Sequence, residues 1–331
     1  MTQSDFLHHD LSAPLPRNLR GAVVAIGNFD GVHRGHQSVL AQARNLAERE
    51  GVACYALSFE PHPRTLFRPQ SPVFRLTPEP QKAKVLEAFG MDGLLVLPFT
   101  RDLASTPADE FVSEFLVERC GAAHVVTGFN FHFGKDRRGT PDFLRRAGET
   151  SGFGVTIVEA HSDGDGEVIS SSRIRRALGD ANCELATQLL GYRWLVGGKV
   201  IKGAQLGRTL GYPTANLSLP ESCHLAFGIY AVRLRRASGK LLDGVASYGR
   251  RPTFDNGEAL LETFVFDFSG NLYDEEITVS LFSHLRGEEA FDSAEALIAQ
   301  MDVDAQQARH LLASVEPASQ LDETLNFADR P

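Results

Sequence analysis

The chain has 331 residues, of which 43% are hydrophobic and 23% charged, and a formal net charge of −9. That length predicts two domains, each with a real core, and the acidic balance excludes a protein that coats nucleic acid through a basic face. Four cysteines, at 54, 120, 183 and 223, are scattered with no CxxC, which excludes a zinc ribbon and a disulfide framework and fits a reducing cytoplasm.

Residues 1–19 read as an N-terminal tail. The opening MTQSDFLHHDLSAPLP holds acids and prolines but no apolar core, so it is not a signal peptide. No stretch approaches the ~18–20 apolar residues needed to span a bilayer, so no membrane partner is expected. A short apolar strand at 22–26 then ends in the turn GNFDGVHRGH, and a helical pattern follows with Val39, Leu40, Ala43, Leu46 and Ala47 on one face. Strand, tight turn and helix in that order set backbone N–H groups and the helix dipole toward an anion, which suits phosphate. His33 and His36 lie about one helical turn apart, with Gly35 between them leaving room for close approach. Gly27, Asn28 and Asp30 complete the turn. Two imidazoles aimed at one point can hold charge that develops on a phosphate chain. Metal binding is disfavoured, because no cysteine or third histidine stands nearby to complete a zinc set.

Further strands are expected at 52–59, 94–97, 123–127 and 155–158, with helices at 81–89 and from Pro107 to about Cys120. Strands alternating with helices predict a doubly wound parallel sheet, whose ligands sit beyond the carboxyl ends of the strands. The polar clusters fall at those ends. The second strand ends in FEPHPR, where two prolines predict a rigid loop without regular helix. The fourth ends in GFNFHFGKDRRG, whose aromatics at alternate positions fit either a core-packing face or a flat ring with a phosphate. The run ISSSRIR, residues 169–175, places serines before a helix, which either cap it or offer hydroxyls and arginines to a triphosphate.

From Arg193 the pattern changes. Strand-like runs at 195–201, 230–235, 244–248, 260–268 and 277–281 follow one another with glycine turns, which predicts an antiparallel barrel or sandwich. A final amphipathic helix is expected at about 293–312. Between the first two strands, GAQLGRTLGYPTAN is a specified loop, read as either a long surface loop or a binding loop for phosphate and Mg²⁺. Thr214 and Asn216 present oxygens two residues apart, suited to a hard cation. Glu262 is a carboxylate in an otherwise apolar strand, so it faces solvent or does chemistry. No Walker A pattern occurs, which disfavours a P-loop mechanism.

GNFDGVHRGH resembles the HxGH signature of the nucleotidyltransferases. Within that superfamily the chain is similar to the prokaryotic bifunctional riboflavin kinase/FAD synthetase family over about residues 20–315. The resemblance rests on FEPHP, GFNFHFG and ISSSRIR in the first half, and on GxxxGRxLGYPTAN, GVASYG, LETF, DF with NLYD, and LRGEEAF in the second. It implies an α/β nucleotidyltransferase domain at 20–180, a linker at 181–192, an antiparallel β-barrel riboflavin kinase domain with a C-terminal helix at 193–318, and a tail at 319–331. ATP and Mg²⁺ are implied for phosphorylation of riboflavin to FMN and adenylylation of FMN to FAD; a monomer or weak homo-oligomer is expected. By that resemblance His33 and His36 are catalytic, and Gly27, Asn28, Asp30, Gly35, Ser171, Ser172, Arg173 and Arg175 bind nucleotide in the first domain. Gly207, Arg208 and Gly211 do so in the second. Phe59, Pro61, His62, Asn130, Phe131 and Arg286 are implied flavin contacts, Thr214 and Asn216 metal and phosphate ligands, and Glu262 the kinase base. The chain departs from the family pattern at Ser172 (usually Thr), His132, Ser247, Tyr248, Phe264 (usually His) and Asp274 (usually Gly).

Overall fold

The computed structural model describes residues 6–202, 211–250 and 259–329. They form two compact units, Met1–Val73 with Pro78–Ser170, and Phe74–Thr77 with Ser171–Pro331.

The first unit is built on six parallel strands: β1 (Leu7–Asp10), β2 (Val23–Ile26), β3 (Cys54–Glu60), β4 (Gly93–Pro98), β5 (His124–Gly128) and β6 (Gly154–Val158). Their order is β1-β4-β3-β2-β5-β6. The chain moves outward from β2 through β3 to β4, then returns to β2's other side at β5. The winding therefore reverses between β2 and β5, and a parallel sheet binds ligands outside such a reversal. β2 reads VVAI and is buried throughout, as a central parallel strand must be. Helix α1 (Arg34–Glu50) covers β2 and β5 through Val39, Leu40, Ala43 and Ala47. It ends on Gly51 in the left-handed region, φ 67°, which closes the helix at no steric cost.

Several expectations are corrected here. The tail at 1–19 contains β1, an edge strand in register with β4 from Leu7 opposite Gly93 to Asp10 opposite Val96. Its LHHD sequence alternates half-buried and exposed positions and carries no apolar run, so pattern alone does not reveal it. The rigid loop expected at FEPHPR is a single helical turn, α2 (Pro63–Phe67). Pro63 sits at its first position, the one helical site where proline is at home, and His62 caps it by accepting the Arg64 N–H at 3.1 Å. Helix α3 (Glu79–Phe89) matches the expected one, and the helix after Pro107 runs through Ala108–Glu110 and the π-helical Phe111–Cys120.

The second unit carries β7 (Leu195–Lys199), β8 (Thr214–Ser218), β9 (Gly228–Arg235), β10 (Leu241–Arg250), β11 (Ala259–Val265) and β12 (Glu276–Arg286). All pairings are antiparallel, in the order β7-β12-β9-β10-β11-β8. The two outer strands approach where the Ile201 N–H donates to the Asn216 carbonyl at 3.0 Å, so the sheet is a nearly closed barrel. Helix Ala294–Ser314, capped by Ser293, packs on the barrel through Ala308 and Leu312. The strand expected at 260–268 stops at Val265, and Thr214–Asn216, expected in a loop, open a strand.

The boundary expected at 180 falls instead between Ser170 and Ser171. Two helices, Ser171–Gly179 and Cys183–Leu190, pack on each other, and the latter packs on β12, so both belong to the second unit. The expected linker at 181–192 is therefore largely helix. The expected tail at 319–331 holds another, Gln320–Asn326, with Leu321, Asp322, Leu325 and Asn326 buried. Asp322 is fully buried and accepts N–H bonds from Arg193 and Ala318 at 2.8 and 2.9 Å, besides its ion pair with the Arg193 guanidinium.

Candidate nucleotide-transfer and kinase sites

In the first unit the turn after β2 stands at the winding reversal. Its backbone is tightly specified: Phe29 and Val32 have φ of 46° and 37°, and Phe29, Asp30, Val32 and His33 are all buried. His33 is the cap of α1, and its Nδ1 accepts the His36 N–H at 3.3 Å. A neutral His33 then carries its proton on Nε2 and presents a donor there. The two imidazoles stack, with centroids 3.6 Å apart and planes at 19°, and Phe29 meets His36 edge-on at 5.4 Å. Gly35 sits in a tight place: a Cβ there would lie 3.1 Å from the His33 ring, which would have to give by a few tenths of an ångström, and in ordinary contact with the Ile169 carbonyl at 3.6 Å. His36 is held well below the usual histidine pKa, by burial first, then by the charges of His33 and Lys82. Its Nδ1 is buried with no hydrogen-bond partner among the described residues. A stacked imidazole pair at a helix start, with His36 held toward its neutral form, is a donor array for phosphate oxygens.

The sequence reading missed Lys82. It is fully buried on α3, and its Nζ donates to Ser58 Oγ at 2.7 Å and pairs with Glu60 Oε1 at 3.0 Å. The Ser58 hydroxyl in turn donates to the Asn28 carbonyl, 3.0 Å away, in the turn after β2. The available signal was a lysine on the apolar stripe it shares with Val85 and Leu86.

The implied flavin contacts divide. Phe59 belongs to the core and meets Phe99 edge-on at 6.0 Å. Phe131 stacks on buried Phe133 at 5.6 Å, so that part of the aromatic run serves packing. Asn130 is exposed at the end of β5, Pro61 is exposed, and His62 is buried as the cap of α2. Ser171, Ser172, Arg173 and Arg175 open a helix of the second unit, where Arg175 Nε donates to the Phe74 carbonyl at 2.6 Å.

In the second unit, antiparallel register sets Glu262 directly opposite Asn216 on β8 and Ser247 on β10. Opposed residues share a face, and so do residues two apart on a strand, so Thr214, Asn216, Glu262 and Phe264 form one patch. Asn216 is 5% exposed, and its Oδ1 has no hydrogen-bond partner among the described residues. A cleft of about 540 Å³ opens here, lined by Pro213, Thr214, Asn216, Thr263 and Tyr273 among others. Thr263 Oγ1 is a second unpartnered buried oxygen in that lining, though alternation along β11 turns it to the face opposite Glu262 and Asn216. The orphaned Asn216 oxygen, on the same face as the Thr214 hydroxyl, fits a hard cation such as Mg²⁺. A larger cleft of about 840 Å³, between Arg233, Asp243, Asp267 and Arg309, includes none of the expected site residues.

Two departures now have physical explanations. Asp274 has φ 64°, a conformation that glycine adopts freely and aspartate tolerates better than most residues. Phe264, in place of histidine, packs on Tyr212 with centroids 4.7 Å apart. Burial and the carboxylates of Asp302 and Asp304 push the Tyr212 hydroxyl up to about 12. Arg286 is bound by Asp304 through Nε at 2.9 Å and a terminal nitrogen at 2.7 Å, so its guanidinium is already engaged. Gly211 has φ 88°, while Gly207 and Arg208 lie outside the described residues. All four cysteines are free thiols. No helix among the described residues is long and apolar enough to cross a membrane.

Comparison with known proteins agrees with both halves. The FAD synthetase family matches residues 15–173 and the riboflavin kinase family residues 190–312. The bifunctional riboflavin kinase/FMN adenylyltransferase of Pseudomonas fluorescens is 42% identical over 295 residues, covering 89% of this chain and 94% of that one. The protein of the same name from Escherichia coli K12 is 37% identical, covering 90% and 95%. A crystal structure described as a macrolide-efflux protein from Streptococcus pneumoniae superposes with a TM-score of 0.80 at 29% identity, covering 94% of this chain and all of that one. By the extent and identity of these matches, the chain belongs to the bifunctional riboflavin kinase/FMN adenylyltransferase family.

Proposed function

We propose that the second unit phosphorylates riboflavin with ATP to give FMN, and that the first transfers AMP from another ATP to FMN, giving FAD and pyrophosphate. The observation that carries this reading is the register that sets Asn216, which lines the cleft beside β8, directly opposite Glu262 on β11. It supports Glu262 as the base that accepts the proton of the ribityl 5′-hydroxyl while that oxygen attacks the γ-phosphorus and ADP leaves. Thr214 and Asn216 would hold Mg²⁺ with the ATP phosphates; the ion, when bound, offsets charge on their oxygens.

In the first unit no strong base is needed, because the FMN phosphate is already an ionised nucleophile. His33 and His36 would donate hydrogen bonds to the α-phosphate region, where charge builds as pyrophosphate departs. Their stacking on a strained, buried turn supports this role, since preorganised donors need no rearrangement during transfer. Gly27, Asn28, Asp30 and Gly35 shape that turn. Asn130 and Pro61 remain the flavin contacts best placed for a ligand, both being exposed at strand ends.

The test is a chromatographic time course with riboflavin, ATP and Mg²⁺. FMN rising first and FAD following is the expected result. FAD from added FMN, with no product from riboflavin, would overturn the kinase half of the reading.

A further inference from the structure

We propose that Lys82 is a positioning residue of the nucleotide-transfer site: its ammonium clamps Ser58, and through it the Asn28 carbonyl, so that the turn carrying the histidine pair keeps its shape. The inference rests on the adenylyl-transfer reading above. Its starting point is a lysine with no solvent exposure on a helix face whose other buried residues are Gln81, Val85 and Leu86. Burying an ammonium is costly, and an apolar side chain of similar length in its place is commonly neutral or stabilising. Core packing alone gives no reason for a charge there.

The bonds around Lys82 give one. The single hydroxyl proton of Ser58 goes to the Asn28 carbonyl at 3.0 Å, so Ser58 meets Lys82 as an acceptor at 2.7 Å. Donors in series polarise one another, and the relay binds the turn after β2 to α3 across the end of β3. Glu60 Oε1, 3.0 Å from the ammonium, offsets its charge from the strand terminus. The turn it braces needs bracing, since Phe29 and Val32 both hold backbone angles that non-glycine residues rarely adopt. The charge also reaches the histidines. The groups acting on His36 are His33 from the start of α1 and Lys82 from α3, and both favour the neutral imidazole, adding to the larger effect of burial.

The experiment compares Lys82→Met and Ser58→Ala in the full chain. Both should lower kcat for FAD formation from FMN by about tenfold or more, while FMN formation from riboflavin stays within about twofold. The acid limb of the FAD-forming kcat/KM should move to higher pH in Lys82→Met, which loses the charge, and stay in place in Ser58→Ala, which keeps it. A role in packing alone would not move that limb. FAD formation within about threefold of wild type in both variants, or a loss in Lys82→Met with the limb unmoved, overturns the proposal. If Lys82→Met does not fold, Ser58→Ala decides by the same thresholds on kcat. A wild-type chain that forms no FAD from FMN would overturn the functional reading itself, a different result from variants that match an active wild type.

Discussion

Truncating Asn216 to alanine should separate stability from activity. In the folded chain its Oδ1 is buried without a hydrogen-bond partner among the described residues, which costs about 1–3 kcal/mol of desolvation. Removing the amide relieves that cost. The space it leaves adjoins an open cleft, so water fills it and the penalty for an empty cavity is small. The two effects leave the ligand-free protein between unchanged and about 1 kcal/mol more stable, a melting shift of roughly 0 to +4 °C for a unit of this size. Leu217→Ala is the control: the neighbouring side chain points to the opposite face and is 1% exposed, so its loss should cost about 2–5 kcal/mol. Function should go the other way. If Asn216 helps hold Mg²⁺ and the ATP phosphates, FMN formation should fall about 100-fold, some 2.7 kcal/mol of transition-state stabilisation. The assays are thermal melts with and without Mg²⁺·ATP, and chromatographic rates of FMN and FAD formation. The ligand-induced rise in melting temperature should shrink in Asn216→Ala, and FAD formation from supplied FMN should persist. A destabilisation beyond about 2 kcal/mol, or FMN formation within about threefold of wild type, would refute the argument that this oxygen is kept for a ligand.

Glu262→Gln should lower FMN formation by about 10²–10⁴ while FAD formation from FMN continues; equal loss of both would indicate misfolding instead. Because His36 titrates well below 6.5 when folded, FAD formation should hold steady from neutral pH down through 6.5, and a pH–rate profile with an acid limb at or above 6.5 would contradict a neutral His36. The same shift has a sign for stability. The unfolded chain takes up a proton at His36 before the folded one does, so the first unit should lose stability as pH falls below ~6.5 and keep it above, measurable by urea melts across that range. Asp274→Gly should leave FMN formation unchanged and alter stability by no more than about 1 kcal/mol: relief at φ 64° is offset by glycine's chain entropy and by loss of the exposed Lys199–Asp274 pair.

Local pattern alone determined a good deal here. The all-apolar VVAI, the glycine-bearing turn and the 3.6-residue stripe of α1 fix a strand–turn–helix unit before any tertiary contact is known, and alternation with further helices makes the sheet parallel. The same logic announced the change to antiparallel strands after Arg193. It failed where the information is not local. The edge strand at Leu7–Asp10 exists because β4 offers it a hydrogen-bonding edge, which no periodicity in LHHD encodes. Thr214–Asn216 read as loop because glycines and a proline precede them, yet pairing with β11 makes them strand and brings Asn216 opposite Glu262, 46 positions along the chain. Lys82 was invisible as a functional residue because its meaning lies in Ser58 and Asn28, which reach it only when β2, β3 and α3 are packed together. Arg286 and Phe59 show the converse. Their residue types suit a flavin, and folding commits one to Asp304 and the other to the core. Chemistry-bearing motifs are written locally because a turn or a cap needs its residues in sequence. Which of them face one another is settled by register and winding, which depend on the whole sheet.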